Sequence, residues 1–266
     1  MSARPPAREQ PPAQGFAGPV ALSTLLVLLV FFLLLIGGLG QLAATGPERG
    51  GSEQIGVLLA GSLAAAFVST SLALLLGIPA ALWLARHRFR GRELVTTFLD
   101  LPTMLSPVAV GTALVLFLRT PPGSWLDASF GVLFAFPGVI LAQFTVVVAL
   151  VIRTATAAFA GVDTRLERLA ELHGASRHRI FTKVTLPLAA PGLLAAAVLA
   201  FARALGEFGA TVTVAGMIPG RTETLSTGIF LALESGNLAL AARLSLLLVL
   251  VAGVVLLLFQ RLMRSR

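Results

Sequence analysis

Six stretches of this chain, at about 20–39, 55–85, 94–118, 132–152, 187–214 and 244–260, are apolar over lengths that a soluble core does not require. A helix rises about 1.5 Å per residue, so crossing a hydrocarbon core about 30 Å thick takes roughly 20 residues. Inside lipid no water can satisfy the backbone, and a helix satisfies it within its own segment. The pattern therefore predicts an all-α integral membrane protein with six transmembrane helices. Charged residues make up only 12% of the 266, against about 25% in soluble domains. The first run is longer than the roughly 7–15 residues of a signal-peptide core, and no small-x-small cleavage site follows it closely, so it reads as a span. The expected organisation is a disordered, Pro-rich cytoplasmic tail over 1–19, a six-span domain over 20–260 and a cytoplasmic tail over 261–266.

The positive charges give these spans a direction. Fifteen Arg and Lys residues fall in the tail before span one, the loops after spans two and four, and the C-terminus, while the alternate loops hold four: Arg49, Arg119, Arg221 and Arg243. Cytoplasmic loops collect Lys and Arg, so both termini and the 153–186 loop are expected in the cytoplasm. The formal net charge of +8 then follows from topology and calls for no nucleic-acid partner. Membrane lipid is the expected surrounding.

Several function classes are excluded. No GxxxxGK[ST] phosphate loop is present and the chain has a single lysine, Lys183, so ATP hydrolysis by that route would have to come from another subunit. There are no cysteines. His87, His173 and His178 lie in loops without a second ligand at metal spacing, and read as solvated. No metal or cofactor is expected, and no catalytic constellation is visible. Span two is rich in Gly, Ala, Ser and Thr, which lets helices approach closely, so it is expected inside a bundle. Spans one and six are bulky and suit a lipid-facing periphery, although span six could equally fill a dimer seam.

Two spans carry polar irregularities. Span three contains Asp100, Pro102 and Pro107 in LDLPTMLSPVAVG. Proline removes a backbone hydrogen bond and bends a helix, which is consistent either with an irregular helix start or with a kinked helix beside a pathway. Span five and its sequel read FARALGEFGATVTVAGMIPGRTETLSTGIF, with Arg203 and Glu207 one turn apart on one face. Ionisable groups at membrane depth are costly and face a bundle interior or a cavity. Arg203 and Glu207 thus read as a mutual ion pair that makes the helix insertable, or as the lining of a pathway. Gly206 and Gly209 flank Glu207 and permit a local break.

The loop after span four contains ELHGASRHRIFTKVTLPLAAPG at 171–192. Gly174 can end one short helix, Ser176 can cap the next, and Pro187 can restart the chain as a span. Two helical pieces make a rigid knob that can pass force to a partner. This stretch resembles the loop by which permease subunits of ABC importers dock their ATPase. In that family a Gly is followed by nine residues, an apolar residue, then x-Leu-Pro; here the positions are Gly174, Val184, Leu186 and Pro187. The family pattern opens with Glu-Ala-Ala, where this chain has Arg168, Leu169 and Ala170, with Glu167 one position earlier. The chain from about 55 to 260 is similar to the membrane subunit of type I ABC importers, and FARALGEFGATVTVAGMIPGRTETL at 201–225 is similar to the molybdate permease group.

The resemblance implies the type I permease fold, a homodimer in a bacterial or archaeal plasma membrane, two cytoplasmic ATP-binding subunits and an extracytoplasmic substrate-binding protein. It implies ATP-driven import of molybdate, with tungstate or sulfate as alternatives. The docking contacts it points to are Glu167, Arg168, Leu169, Ala170, Gly174, Ala175, Ser176, Leu186 and Pro187. The candidate pathway or intramembrane ion-pair residues are Arg203, Glu207, Asp100 and Pro107. A passive channel would need no docking partner, and the 171–187 pattern weighs against it.

Overall fold

The computed structural model describes residues 52–264 apart from 88, together with 29, 30, 33, 36–41 and 43. All regular structure among the described residues is helical. We label the helices α1 (Ser52–Arg86), α2 (Arg92–Met104), α3 (Pro107–Leu118), α4 (Pro121–Phe130), α5 (Phe136–Ala160), α6 (Thr164–Leu172), α7 (Arg177–Leu205), α8 (Gly209–Ala215), α9 (Leu225–Glu234) and α10 (Leu238–Arg264). Four of them, α1, α5, α7 and α10, are long and apolar enough to cross a membrane. The expected tail at 1–19 and most of the first expected span lie outside the described residues. At the other end, α10 runs through the expected tail as far as Arg264.

The third expected span is not one kinked helix. It is two helices, α2 and α3, bent by 111°. The cause is local. A residue before proline is pushed out of the helical region, and Ser106, before Pro107, is extended at ψ 138°. Leu105 is extended as well, at ψ 151°. The Ser106 hydroxyl then accepts a hydrogen bond from the Ala109 N–H at 3.3 Å, so Leu105 closes α2 and the next residue caps α3.

The fifth expected span is also broken, because α7 stops at Leu205 and α8 starts at Gly209. At its other end Pro187 does not restart the chain. The helix is continuous from Arg177, through a wide π turn at Phe181–Thr185, into Leu186 and beyond. Pro187 falls within the first turn after that π turn, where a missing N–H is tolerated.

The core is built from small residues, as the composition of span two predicts. Ala66 and Ala73 of α1, Val147 and Val151 of α5, and Ala200 and Ala204 of α7 form one fully buried cluster. Ala81, Ala155, Phe159, Ala189 and Leu193 continue it toward the end of the bundle that carries α6. Ser69 of α1 donates to Oε1 of the buried Gln143 on α5 at 2.9 Å, a polar tie of the kind that holds membrane helices together. Bulky side chains such as Phe67, Leu75 and Phe98 point outward. An apolar exterior is what a hydrocarbon surrounding requires.

Candidate functional site: a docking knob and two facing helix breaks

The first region is the knob at the end of the bundle. Asp163 caps α6 by accepting from the Arg165 N–H at 2.8 Å. The helix closes at Gly174, whose φ of 77° lies in the left-handed region that suits glycine. There the Gly174 N–H donates to the Glu171 carbonyl at 2.9 Å and the Ala175 N–H to the Ala170 carbonyl at 3.0 Å, the paired bonds of a Schellman end. Ser176 caps the next helix through the Arg179 N–H at 3.4 Å.

No residue of α6 is buried. The helix is held to the bundle through Glu167, whose Oε1 accepts from Arg86 Nη2 at 2.5 Å and from Thr185 Oγ1 at 2.6 Å. Arg86 is in the last turn of α1, and buried Thr185 ends the π turn of α7. Glu167 therefore faces inward and joins three segments. Beside this bridge a groove of about 640 Å³ separates the knob from the end of α1, with Trp83, Arg86, Arg168, Glu171 and Arg177 in its walls. Arg168, Leu169, Gly174 and Ser176 are exposed, while Ala170, Ala175 and Leu186 are half-buried and Pro187 is exposed. Leu172 is 81% exposed, a bare apolar side chain at the tip of a charged helix. The sequence reading counted Arg86 only as a positive loop charge and passed over Leu172, whose signal was an apolar residue two positions before a glycine stop.

The second region lies at membrane depth. Arg203 shares a cavity of about 280 Å³ with Pro102, Thr103, Leu105, Pro107, Val146 and Leu150. Val146 and Leu150 are ten and fourteen residues into α5, or about 15–21 Å from its start. Arg203 Nη1 donates to Glu207 Oε2 at 2.5 Å, and Glu207 Oε1 accepts from the Ala210 N–H at 2.9 Å. Glu207 thus fills the gap between α7 and α8, paired on one side and bonded to the first turn of α8 on the other. Ser226 of α9 closes the break further by donating to the Leu205 carbonyl at 3.0 Å.

The two helix breaks meet. A Cβ built on Gly209 would lie 2.9 Å from Pro107 Cβ and 3.0 Å from the Val108 nitrogen. Only glycine lets the start of α8 touch the start of α3 this closely. The structure therefore brings Arg203, Glu207 and Pro107 together. It does not bring Asp100 to them, because Asp100 pairs with Arg153 of α5 at 3.0 Å. No cluster of side chains suited to a metal ion occurs among the described residues. Outside the spans, burial pushes the Glu223 carboxyl above its ordinary range, against a hydrogen bond from the Gly220 backbone.

Comparisons with known proteins agree with this architecture. Residues 73–266 match the family model described as the binding-protein-dependent transport system inner membrane component. The chain is similar to the molybdenum transport system permease protein ModB of Escherichia coli K12, 39% identical over 204 residues that cover 73% of this chain and 89% of that protein. ModB of Mycobacterium tuberculosis is 44% identical over 211 residues, 77% of this chain and 78% of that one. The sulfate transport system permease protein CysW of Escherichia coli K12 is 35% identical over 192 residues, 70% of this chain and 66% of that one. Among solved structures, a bacterial ABC transporter that imports alginate superposes with a TM-score of 0.72 at 22% identity, covering 92% of this chain and 95% of that chain. The methionine transporter MetNI gives a TM-score of 0.62 at 19% identity, over 81% and 99%. An all-helical bundle of apolar spans, with a capped knob at one end and a family match across most of its length, makes this chain a member of the binding-protein-dependent transport system inner membrane components.

Proposed function

We propose that this chain is the membrane-spanning permease subunit of an ATP-driven molybdate importer. It forms the translocation pathway, and a separate cytoplasmic ATPase hydrolyses the nucleotide. The observation that carries the reading is the knob: a helix with no buried residue, bolted through Glu167 to α1 and to the base of α7. A rigid element held that way passes a push from a partner directly into the helix that carries Arg203. The relatives named for molybdenum transport support molybdate as the cargo, and sulfate is the second reading because CysW is also similar.

In this reading the permease works as a homodimer with two ATP-binding subunits and an extracytoplasmic binding protein. Arg168, Leu169, Gly174, Ala175 and Ser176 form the ATPase contact, and Leu172 joins them. Glu167, Ala170, Leu186 and Pro187 shape the knob beneath. Arg203, Glu207 and Pro107 border the pathway, where discontinuous helices place polar groups at membrane depth. Asp100 holds α2 to α5 instead. Co-expression with the ATPase and reconstitution with the binding protein test this: ATP-dependent molybdate uptake is expected, and uptake without ATP would favour a channel.

The charge bias supports both termini in the cytoplasm. Because the chain has no cysteine, single cysteines at Ser2 and Ser265 can be labelled in intact cells. Protection of both from an impermeant reagent is expected, and labelling of either end from outside contradicts the topology.

A further inference from the structure

The polar pair at the helix breaks is lopsided. The Glu207 side chain is 1% exposed and that of Arg203 is 40% exposed. Both Glu207 oxygens are occupied, one by Arg203 and one by the Ala210 N–H. Arg203 has five N–H donors, and only Nη1 is engaged among the described residues. Its remaining donors belong to the side chain that lines the 280 Å³ cavity, and no carboxylate lines that cavity among the described residues. The cavity has room for roughly nine waters at about 30 Å³ each, ample for one tetrahedral anion. Pro107 also lines it, so the N-terminal, partially positive end of α3 lies at its rim.

We propose that Arg203 is the residue that contacts the oxyanion in transit, with the α2–α3 cavity as a way-station for a divalent tetrahedral oxyanion. Glu207 is a positioning residue. It is fixed by the first turn of α8 and holds one arm of the guanidinium, which leaves the other nitrogens for a ligand in the cavity that Arg203 lines. A planar guanidinium matches two oxygens of such an anion at once. Glu207 is buried and does not line the cavity, so an anion there meets Arg203 and not the carboxylate. The inference rests on the permease reading above.

The test uses the absence of cysteines. Thr103 is exposed and lines the cavity. In Thr103→Cys, within the reconstituted permease–ATPase complex, an anionic methanethiosulfonate is expected to react faster than its cationic analogue. The ratio should exceed that for a free thiol by roughly tenfold, as a nearby positive charge dictates. Molybdate should slow the reaction. Both effects should vanish when Arg203→Gln and Glu207→Gln are added together, a change that strands no charge. A ratio unchanged by the double substitution overturns the proposal, as does a failure of both molybdate and sulfate to protect the thiol. Protection by sulfate with none by molybdate keeps the anion site and overturns the molybdate reading. Loss of the Arg203 effects in a complex whose Thr103 parent still imports molybdate leaves the permease reading standing.

Discussion

Arg203→Gln alone is expected to destabilise the permease by about 3 kcal/mol, more than Arg203→Gln and Glu207→Gln together. The reason is what each change leaves behind. Without Arg203, Glu207 remains 1% exposed at membrane depth with one neutral partner, the Ala210 N–H. A buried carboxylate without its counter-charge is among the costliest groups a membrane protein can hold. Glu207→Gln alone strands Arg203, but that side chain is 40% exposed and borders a cavity that water can enter, so the cost is smaller. The double substitution removes both charges, loses a pair worth about 1–2 kcal/mol, and leaves two amides that can bond to each other. Thermal unfolding of the purified protein should rank the variants in that order, with Arg203→Gln lowest and the double variant nearest to the parent. Damage in the double variant equal to the sum of the singles would mean that the residues act independently. Transport separates the roles further, since a double variant that is stable yet idle fits Arg203 as the anion contact.

Much of this arrangement was legible in the sequence. The apolar runs marked the helices, and GEFG marked the one place where charge and small residues meet inside a span. The i, i+4 spacing gave the Arg203–Glu207 pair, and the Gly174 and Ser176 signals gave the ends of the knob helices. What was not legible depends on packing between distant segments. Ser106-Pro107 reads equally as a kink or a break, and the 111° bend follows from the extended Leu105 and Ser106 together. Asp100 and Glu207 lie in different expected spans, and the sequence left each as a pathway or an ion-pair residue. The structure separates them by placing Arg153 beside Asp100. Glu167 read as a displaced docking residue because it stands one position from the family's acidic site. Shifting by one residue on a helix turns a side chain by about 100°, which here carries it from the outer face to Arg86 and Thr185.

Glu167→Ala and Leu172→Asp are expected to lower transport tenfold or more in two different ways. Leu172 is 81% exposed on the knob and Leu169 is 51% exposed one turn before it. With Leu166 at 44%, three apolar side chains are bare on a charged helix, and such side chains are what a protein partner would bury. An aspartate at 172 would place a charge in the centre of that contact, and such central positions cost about 2–4 kcal/mol when lost. The affinity for the ATPase should fall by about 100-fold. Glu167 is turned away from that face, so Glu167→Ala should leave the ATPase bound. It removes a group that ties α6 to both α1 and α7, and Arg86 and Thr185 lose a common acceptor. The knob would then move on its own when the ATPase pushes. ATP hydrolysis should continue while molybdate uptake drops tenfold or more. Gly174→Trp should resemble Glu167→Ala more than Leu172→Asp. A Cβ there would meet nothing within 4 Å beyond its chain neighbours, so it points into open space, but a φ of 77° costs a side chain about 1–2 kcal/mol and loosens the end of α6. Pull-down of the ATPase and uptake into proteoliposomes, measured on the same three variants, separate binding from coupling. A Glu167→Ala permease that imports at the parental rate would show that force reaches α7 by another route, and a Leu172→Asp permease that still binds the ATPase would move the contact off this face of the knob.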